Sequence, residues 1–126
     1  MEFLFPKWHG KRVPPITERK SFQDLVLCEY RSDDLDVHVR AFMAGPGLYI
    51  SASDLGPSVE KFWGDLDYEY YYSFSPAETE KLLHLIGGTK NPRAALLREF
   101  GGLSGCSRLE KFCEKEGIRY NFWSYV

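Results

Sequence analysis

The chain has 126 residues, a formal net charge of −2 and an aromatic content of 16%. This length fits one domain, residues 1–126, that can bury a core without disulfides, and the aromatic content argues against intrinsic disorder. A net charge so close to zero gives no basis for general affinity for nucleic acid. No apolar run approaches membrane-spanning length, and the chain opens without the apolar segment of a signal peptide. We therefore expect a cytoplasmic protein with neither nucleic acid nor a membrane as its partner.

The charges are distributed unevenly along the chain. Nine acids and three bases lie between Glu29 and Glu69, so this segment carries −6 and the rest of the chain +4. If folding gathers these acids on one surface, that surface favours a basic partner; if folding scatters them, they are ordinary solvated charges. The three cysteines, Cys28, Cys106 and Cys113, are an odd and sparse set, and the last two share the spacing of a helix face. Free thiols in a reducing compartment are expected.

The first part of the chain predicts an arm followed by two strands. Residues 1–20 contain three prolines and a glycine, which predict an irregular basic arm that could include a short edge strand over Glu2–Phe5. Phe22–Arg31 is rich in strand-forming residues and predicts the next strand. From Leu35 to Phe42 apolar and polar side chains alternate, which is the period of a half-buried strand. The adjacent acids Asp33 and Asp34 suit the turn between these strands.

Two further strands are predicted before the pattern changes. The turn sequence AGPG ends at Gly47 and leads into a strand over Leu48–Ala52, and a loop with one helical turn is expected over residues 54–64. The segment Asp67–Phe74 then divides its side chains between two faces. One face is a candidate core layer of rings, formed by Tyr68, Tyr70, Tyr72 and Phe74. The other is polar and carries Asp67, Glu69, Tyr71 and Ser73.

Three helices follow, because the apolar period changes from two to 3.6 residues. A capping box over Ser75–Glu78, with proline at the first helical position, begins a helix that ends at Gly87. A second helix is predicted from Asn91 to Gly101. Ser107 is predicted to cap a third helix, which closes at Gly117.

The order of these elements predicts the fold class. Ile118–Tyr125 alternates around its apolar residues and predicts a closing strand. Strands therefore come first, helices follow, and one strand ends the chain. This order is typical of an α+β fold with an antiparallel sheet of about five strands and two or three helices packed on one face. The other face of the sheet would remain open to water.

A search for catalytic motifs finds little. The three histidines lack ligand-spaced companions, and no glycine loop with a lysine could bind phosphate, so neither a metal nor a cofactor is predicted. The cluster of Asp65, Asp67 and Glu69 could serve a small hydrolase or transferase, because Asp67 and Glu69 share a strand face about 7 Å apart. The same spacing suits plain solvated carboxylates. We predict that the protein is not an enzyme.

The open sheet face is the predicted binding surface. Its acids, phenols and arginine suit recognition of a charged protein, although an ordinary wet face has the same composition. Its aromatic residues could also stack on the bases of nucleic acid, but that mode needs a basic surround, and here the surround is acidic. The residues predicted to bind a partner are Asp36, Arg40, Asp65, Asp67, Glu69 and Tyr71.

The second half of the chain resembles a known class of proteins. The succession GDLDYEYYYSF, SPAETEKLLHLI, ALLREF and LEKFCEKEGIRYNFWSY, within roughly Phe62–Tyr125, resembles the small immunity proteins of bacterial polymorphic-toxin and contact-dependent growth inhibition loci. Those proteins neutralise a cognate toxin domain by binding it. The resemblance implies a protein that occludes the active or substrate-binding surface of a toxin, for instance a basic nuclease. It implies no particular binding residues, because immunity proteins share none. An adaptor or ligand-binding module without a toxin is the alternative.

Overall fold

The computed structural model describes residues 22–57, 59 and 67–125. The predicted arm over residues 1–20, its edge strand Glu2–Phe5 and most of the predicted loop over residues 54–64 lie outside the described residues. Within them, five strands form one antiparallel sheet whose spatial order is the order of the chain. The elements are β1 (Phe22–Arg31), β2 (Asp36–Ala44), β3 (Gly47–Leu55), β4 (Asp67–Phe74), α1 (Pro76–Leu85), α2 (Pro92–Phe100), α3 (Gly105–Glu116) and β5 (Asn121–Tyr125). The α+β prediction is confirmed.

Tight turns explain why neighbours in sequence are neighbours in the sheet. Between β1 and β2, the Ser32 hydroxyl accepts hydrogen bonds from the backbone N–H of Asp34 at 3.3 Å and of Leu35 at 3.0 Å. Between β2 and β3, Gly45 has φ of +68° and begins a two-residue loop with Pro46. Glycine is favoured at that hairpin position because it has no Cβ to clash. Both connections force an antiparallel hairpin.

The core lies between the sheet and the three helices, on what we call the inner face. The residues Leu48, Ile50 and Ala52 of β3 are buried there, as their alternation predicts. The ring layer predicted for β4 is confirmed in part: Tyr72 and Phe74 are buried, whereas Tyr68 and Tyr70 are half-buried. The helices contribute further fully buried apolar side chains, among them Leu82, Leu83, Leu96, Leu109 and Cys113.

A bulge in β1 changes which side chains reach each face. The pairing of β1 with β2 shifts register between Val26 and Cys28, and the adjacent residues Leu27 and Cys28 are both buried. An unbroken strand would bury only one of two adjacent side chains. Because the extra residue reverses the alternation beyond it, Glu29 lies on the open side of the sheet, opposite His38.

The caps of α1 and α2 are as predicted. The Ser75 hydroxyl accepts from the N–H of Glu78 at 3.2 Å, and the Asn91 side chain accepts from the N–H of Ala94 at 3.2 Å. Each satisfies a backbone donor that has no partner within its helix.

The prediction that Ser107 caps α3 is wrong. The helix begins at Gly105, and its N-cap residue is Ser104, whose side chain makes no capping hydrogen bond. The reason is Arg108, which donates to the carbonyl oxygens of Glu99 at 3.0 Å and Gly101 at 2.6 Å and to the Ser104 hydroxyl at 2.5 Å. This guanidinium joins the end of α2 to the start of α3, so the third helix starts before Ser107.

The last strand is shorter than predicted, because its first residues complete the helices. The N–H of Ile118 donates to the carbonyl of Cys113 at 2.9 Å, which closes α3. The N–H of Arg119 donates to the Glu78 carboxylate at 3.0 Å. Strand pairing with β4 therefore begins only at Asn121.

All three cysteines are free thiols. Cys28 and Cys113 are buried, and Cys106 packs partly against the core. Burial raises the pKa of Cys106 to about 11 and that of Cys113 to about 12. These thiols stay protonated at neutral pH, which makes them poor nucleophiles.

Asp54 is an acid on the inner face, where it lies half-buried and accepts a hydrogen bond from the Tyr70 hydroxyl at 3.3 Å. Burial raises the pKa of Asp54, and the bond from Tyr70 opposes that rise only in part. Because the folded-state pKa is above the unfolded value, this carboxyl favours the fold when it is protonated. That contribution is lost as pH rises through the folded pKa.

Asp54→Asn should therefore stabilise the protein at pH 7, since an amide still accepts from Tyr70 and carries no charge to desolvate. We expect a gain of about 1 kcal/mol or less, given the partial exposure of the site. Urea unfolding at pH 7 and at a pH below 3.8, the ordinary pKa of an aspartate side chain, would measure the gain. The gain should vanish at the lower pH; an equal gain at both values would contradict a cause based on charge.

Candidate protein-interaction face

The face of the sheet opposite the helices, here called the open face, is built from alternate residues of all five strands. Cross-strand pairing arranges them in rows, because directly opposed residues lie side by side. Its two central rows are Val26, Arg40, Ser51, Tyr71, Trp123 and Glu29, His38, Ser53, Glu69, Tyr125. The rows that flank them are Arg31, Asp36, Leu55, Asp67 and Phe42, Tyr49, Ser73, Asn121.

A shallow groove of about 220 Å³ runs along the middle of the open face. Its floor is the central strand β3, where Ser51 and Ser53 are small. The larger side chains of β2 and β4 form the walls, with Arg40 on one side and Glu69 and Tyr71 on the other. The groove is therefore polarised, with a cation on one wall and an anion on the other.

On the β1–β2 side of the open face, acids and bases neutralise each other. Arg40 pairs with Asp24 at 2.6 Å, and Nδ1 of His38 lies 2.9 Å from the carboxylate of Glu29. Arg31 adds a contact to the same carboxylate at 3.3 Å. The pKa of Glu29 is lowered, first by its hydrogen bond to His38. Such exposed pairs add little stability, but they leave this side close to charge balance.

On β4 the negative charge is not neutralised. Among the described residues, neither Asp67 nor Glu69 has a basic group within 4.0 Å. The Tyr71 hydroxyl donates to Oε1 of Glu69 at 2.8 Å, and this bond raises the pKa of the phenol. Tyr71 thus stays a neutral donor at physiological pH. Asp67 is exposed and Glu69 half-buried, and the described chain gives neither carboxylate a counter-charge.

Exposed rings lie directly beside these carboxylates. Tyr71 stacks on Trp123 with ring centroids 5.3 Å apart and planes 16° apart, and Tyr125 meets the Tyr71 ring edge-on at 6.0 Å. Trp123 is 41% exposed and Tyr125 60% exposed. We call Tyr71, Trp123 and Tyr125 the aromatic strip. Large exposed rings of this kind are enriched at the centres of protein interfaces.

Five of the six residues predicted to bind a partner lie on the open face. Arg40, Glu69 and Tyr71 line the groove, while Asp36 and Asp67 lie in the flanking row at one end. Asp36 is half-buried and 4.0 Å from Arg31. The sixth residue, Asp65, lies outside the described residues. The acidic segment is thus gathered only in part on this face: Asp54 lies on the inner face, and Asp33 and Asp34 lie in the β1–β2 turn.

Sequence analysis missed Trp123 and Tyr125. The alternation of the last strand draws attention to its inward residues, Tyr120 and Phe122. The aromatic residues at the positions between and beyond them were the signal that could have identified Trp123 and Tyr125. The alternation of its strand placed His38 on the open face, whereas Ser53 was missed. That Ser53 lies opposite His38 follows from strand register, which no local pattern reports.

Three side chains in and beside the groove occur in the order acid, histidine, serine, which is the order of a catalytic triad. Glu29 orients His38, and Ser53 lies opposite His38 on the next strand. Activation of a serine needs a hydrogen bond to the base, and no hydrogen bond joins Ser53 to His38 in the described part of the chain. Likewise, no group of three or more metal-ligating side chains converges among the described residues. The hydrolase or transferase hypothesis, which was built on Asp65, Asp67 and Glu69, stays an alternative.

A second hollow, of about 510 Å³, lies on the helical side of the molecule. Polar and charged side chains of α1 and the end of α3 line it, including Lys81, His84 and Glu116. Its lining has no Phe, Tyr or Trp and mixes both signs of charge. The open face is therefore the stronger candidate for recognition.

No family model, curated protein or solved structure matches the chain. The helices of the described segments include none with the length and apolar character needed to cross a bilayer.

Proposed function

We propose that the protein is an immunity protein that neutralises a toxin domain by binding a basic surface of that domain with its open face. The observation that carries the proposal is the juxtaposition of two acids, Asp67 and Glu69, to which the described residues supply no counter-charge, with the aromatic strip, in which Trp123 and Tyr125 are exposed. The resemblance of residues Phe62–Tyr125 to immunity proteins supports the same function. Inhibition of this kind needs neither catalysis nor a cofactor, since occlusion of the toxin is sufficient.

The two parts of this surface would contribute differently to binding. Acids that face solvent speed the encounter with a basic partner and reject acidic ones. Rings such as Trp123 and Tyr125 provide large contact areas at little cost in side-chain entropy, and residues of this type commonly dominate binding energy. The β1–β2 side, where acids and bases pair, would add contact area on one side of these residues.

The open face also has a suitable size. Strands lie about 4.8 Å apart and residues advance about 3.4 Å along each strand. Five strands of about eight residues therefore span roughly 24 by 27 Å, or about 650 Å² before the relief of side chains is counted. A stable interface of standard size uses about 800 Å² on each partner. The open face could thus supply most of such an interface.

Reversal of the charge on β4 tests the proposal. Asp67→Lys/Glu69→Lys should weaken binding to the cognate toxin domain at least about thirtyfold, because two attractive contacts become repulsive. The thermal midpoint should stay within about 2 °C of wild type, since Asp67 is exposed, Glu69 is only half-buried and neither belongs to the core. The toxin candidate is the product of the gene directly upstream, and protection of cells that express it is the functional assay.

The matched control is Glu114→Lys, which reverses an exposed acid on α3 at the helical side. It should leave both affinity and protection unchanged. If the double variant binds as tightly as wild type, the open face is not the interface. If wild type neither binds the upstream product nor protects cells, the immunity function is wrong, and an adaptor role without a toxin becomes the better account.

A further inference from the structure

We infer that Glu69 and the aromatic strip form a subsite for the guanidinium group of an arginine on the partner. The inference rests on the proposed function, because it takes the partner to be a basic protein, and it names the side chain that this partner must present. The occupant is thus an arginine that projects from a folded surface.

The strand register brings an anion and three rings together. Glu69 lies directly opposite Tyr125, and Tyr71 lies directly opposite Trp123. The Tyr71 hydroxyl donates a hydrogen bond to Oε1 of the Glu69 carboxylate, at 2.8 Å, and not to Oε2. Among the described residues, no hydrogen bond or ion pair reaches Oε2. The described chain therefore leaves one carboxylate oxygen available beside the rings of Trp123 and Tyr125.

A carboxylate next to aromatic rings binds a guanidinium group better than an ammonium group. A guanidinium is planar and weakly hydrated, so it can lie against an indole or phenol ring while its N–H edge donates to a carboxylate. A lysine ammonium is a compact and strongly hydrated charge, which gives it a smaller contact with the rings. The near-parallel stack of Tyr71 and Trp123, with planes 16° apart, offers flat surfaces of this kind.

The position of Arg40 determines the side from which a cation can approach. Arg40 lies on the opposite wall of the groove and pairs with Asp24 at 2.6 Å. Because Asp24 is already paired with Arg40, the β2 wall offers this carboxylate to no incoming guanidinium. The arginine is thereby directed towards β4 and β5, where β5 is the last strand of the sheet and no described strand lies beyond it.

The test uses blocked amino acids and the full chain labelled with ¹⁵N. The chain has three tryptophans, and the indole N–H signal that disappears in Trp123→Phe belongs to Trp123. N-acetyl-arginine methylamide should shift this signal and the Tyr125 amide in a saturable manner. N-acetyl-citrulline methylamide, which has nearly the same shape but no charge, and N-acetyl-lysine methylamide should bind at least about fivefold more weakly.

Two matched variants separate the subsite from general negative charge. Glu69→Gln should weaken binding of the arginine probe about fivefold or more, measured at the same two signals. Glu114→Gln removes an equal charge from the helical side, outside the open face, and it should leave the affinity unchanged. Equal shifts with the citrulline probe, or no effect of Glu69→Gln, would overturn the inference.

The outcome for the subsite is separable from the outcome for the proposed function. If the charge-reversed double variant loses toxin binding but the arginine probe leaves Trp123 unperturbed, the proposed function stands and the inference fails. If the arginine probe binds as expected but the upstream gene product does not, the subsite stands and the immunity function fails.

Discussion

Gly105→Ala is expected to lower the free energy of unfolding by about 3 kcal/mol. Gly105 is buried at the first turn of α3, and a Cβ there would collide with the carbonyl group of Phe100 at the end of α2. That neighbour is backbone, so it cannot move aside as a flexible side chain would. Either α3 must shift away from α2 or the end of α2 must unwind.

The same loop provides a matched control for this prediction. Gly102 has φ of +89°, and nothing lies within 4 Å of a Cβ at that position. Gly102→Ala therefore introduces conformational strain of about 1–2 kcal/mol without a collision. Urea unfolding followed by circular dichroism measures both variants. A loss for Gly105→Ala no greater than that for Gly102→Ala would show that the helices can separate at little cost.

Displacement of α3 should also affect the sheet. The helix carries Glu110, whose carboxylate accepts a hydrogen bond from the Tyr72 hydroxyl at 2.5 Å. Tyr72 is fully buried on β4. The open-face residues Glu69 and Tyr71 belong to the same strand. A scaffold variant can thus weaken partner binding without touching the interface, and only variants with an unchanged thermal midpoint report on the interface itself.

Thr79→Val is expected to cost about 2–3 kcal/mol of stability although it preserves shape. The Thr79 side chain is fully buried in α1. Its hydroxyl accepts from the N–H of Leu48 at 3.0 Å and donates to the carbonyl of Phe74 at 3.3 Å. Valine removes both bonds and leaves two buried backbone groups on β3 and β4 without this partner, which is more costly than the loss of a bond at the surface.

Thr79→Ser is the control, because it keeps the hydroxyl and removes one methyl group. Its cost should be about 1 kcal/mol, from lost apolar burial. Chemical unfolding of both variants in the same buffer gives the comparison. If the valine variant is as stable as the serine variant, the hydroxyl does not hold α1 against the sheet and packing alone is responsible.

Local patterns predicted most of the fold because their causes are local. Alternation in β3 follows from the two-residue period of a strand between core and water. The caps at Ser75 and Asn91 follow from the need of the first helical N–H groups for an acceptor. The prediction that Ser107 caps α3 was wrong because Arg108 joins the end of α2 to the start of α3. The third helix therefore begins before Ser107.

The sequence predicts which residues of a single strand lie on the open face, but not which residues of different strands lie next to each other. Asp67, Glu69 and Tyr71 were recognised because they alternate with the core residues of their own strand. The contact between Glu29 and His38 was not recognised, because it depends on the bulge in β1. Similarly, nothing local indicates that Asp54, one of the acids in the acidic segment, lies on the inner face beside Tyr70.

The amino-acid sequence by itself determined that this chain forms strands, then helices, then a strand, with one side of the sheet left to water. Periodicity and capping act within a few residues, so they can be interpreted without a structure. The tertiary structure decided that Trp123 and Tyr125 lie beside Tyr71 and Glu69, after the chain has passed through three helices. Hydrogen-bond register between distant strands determines that proximity, and no short segment encodes it.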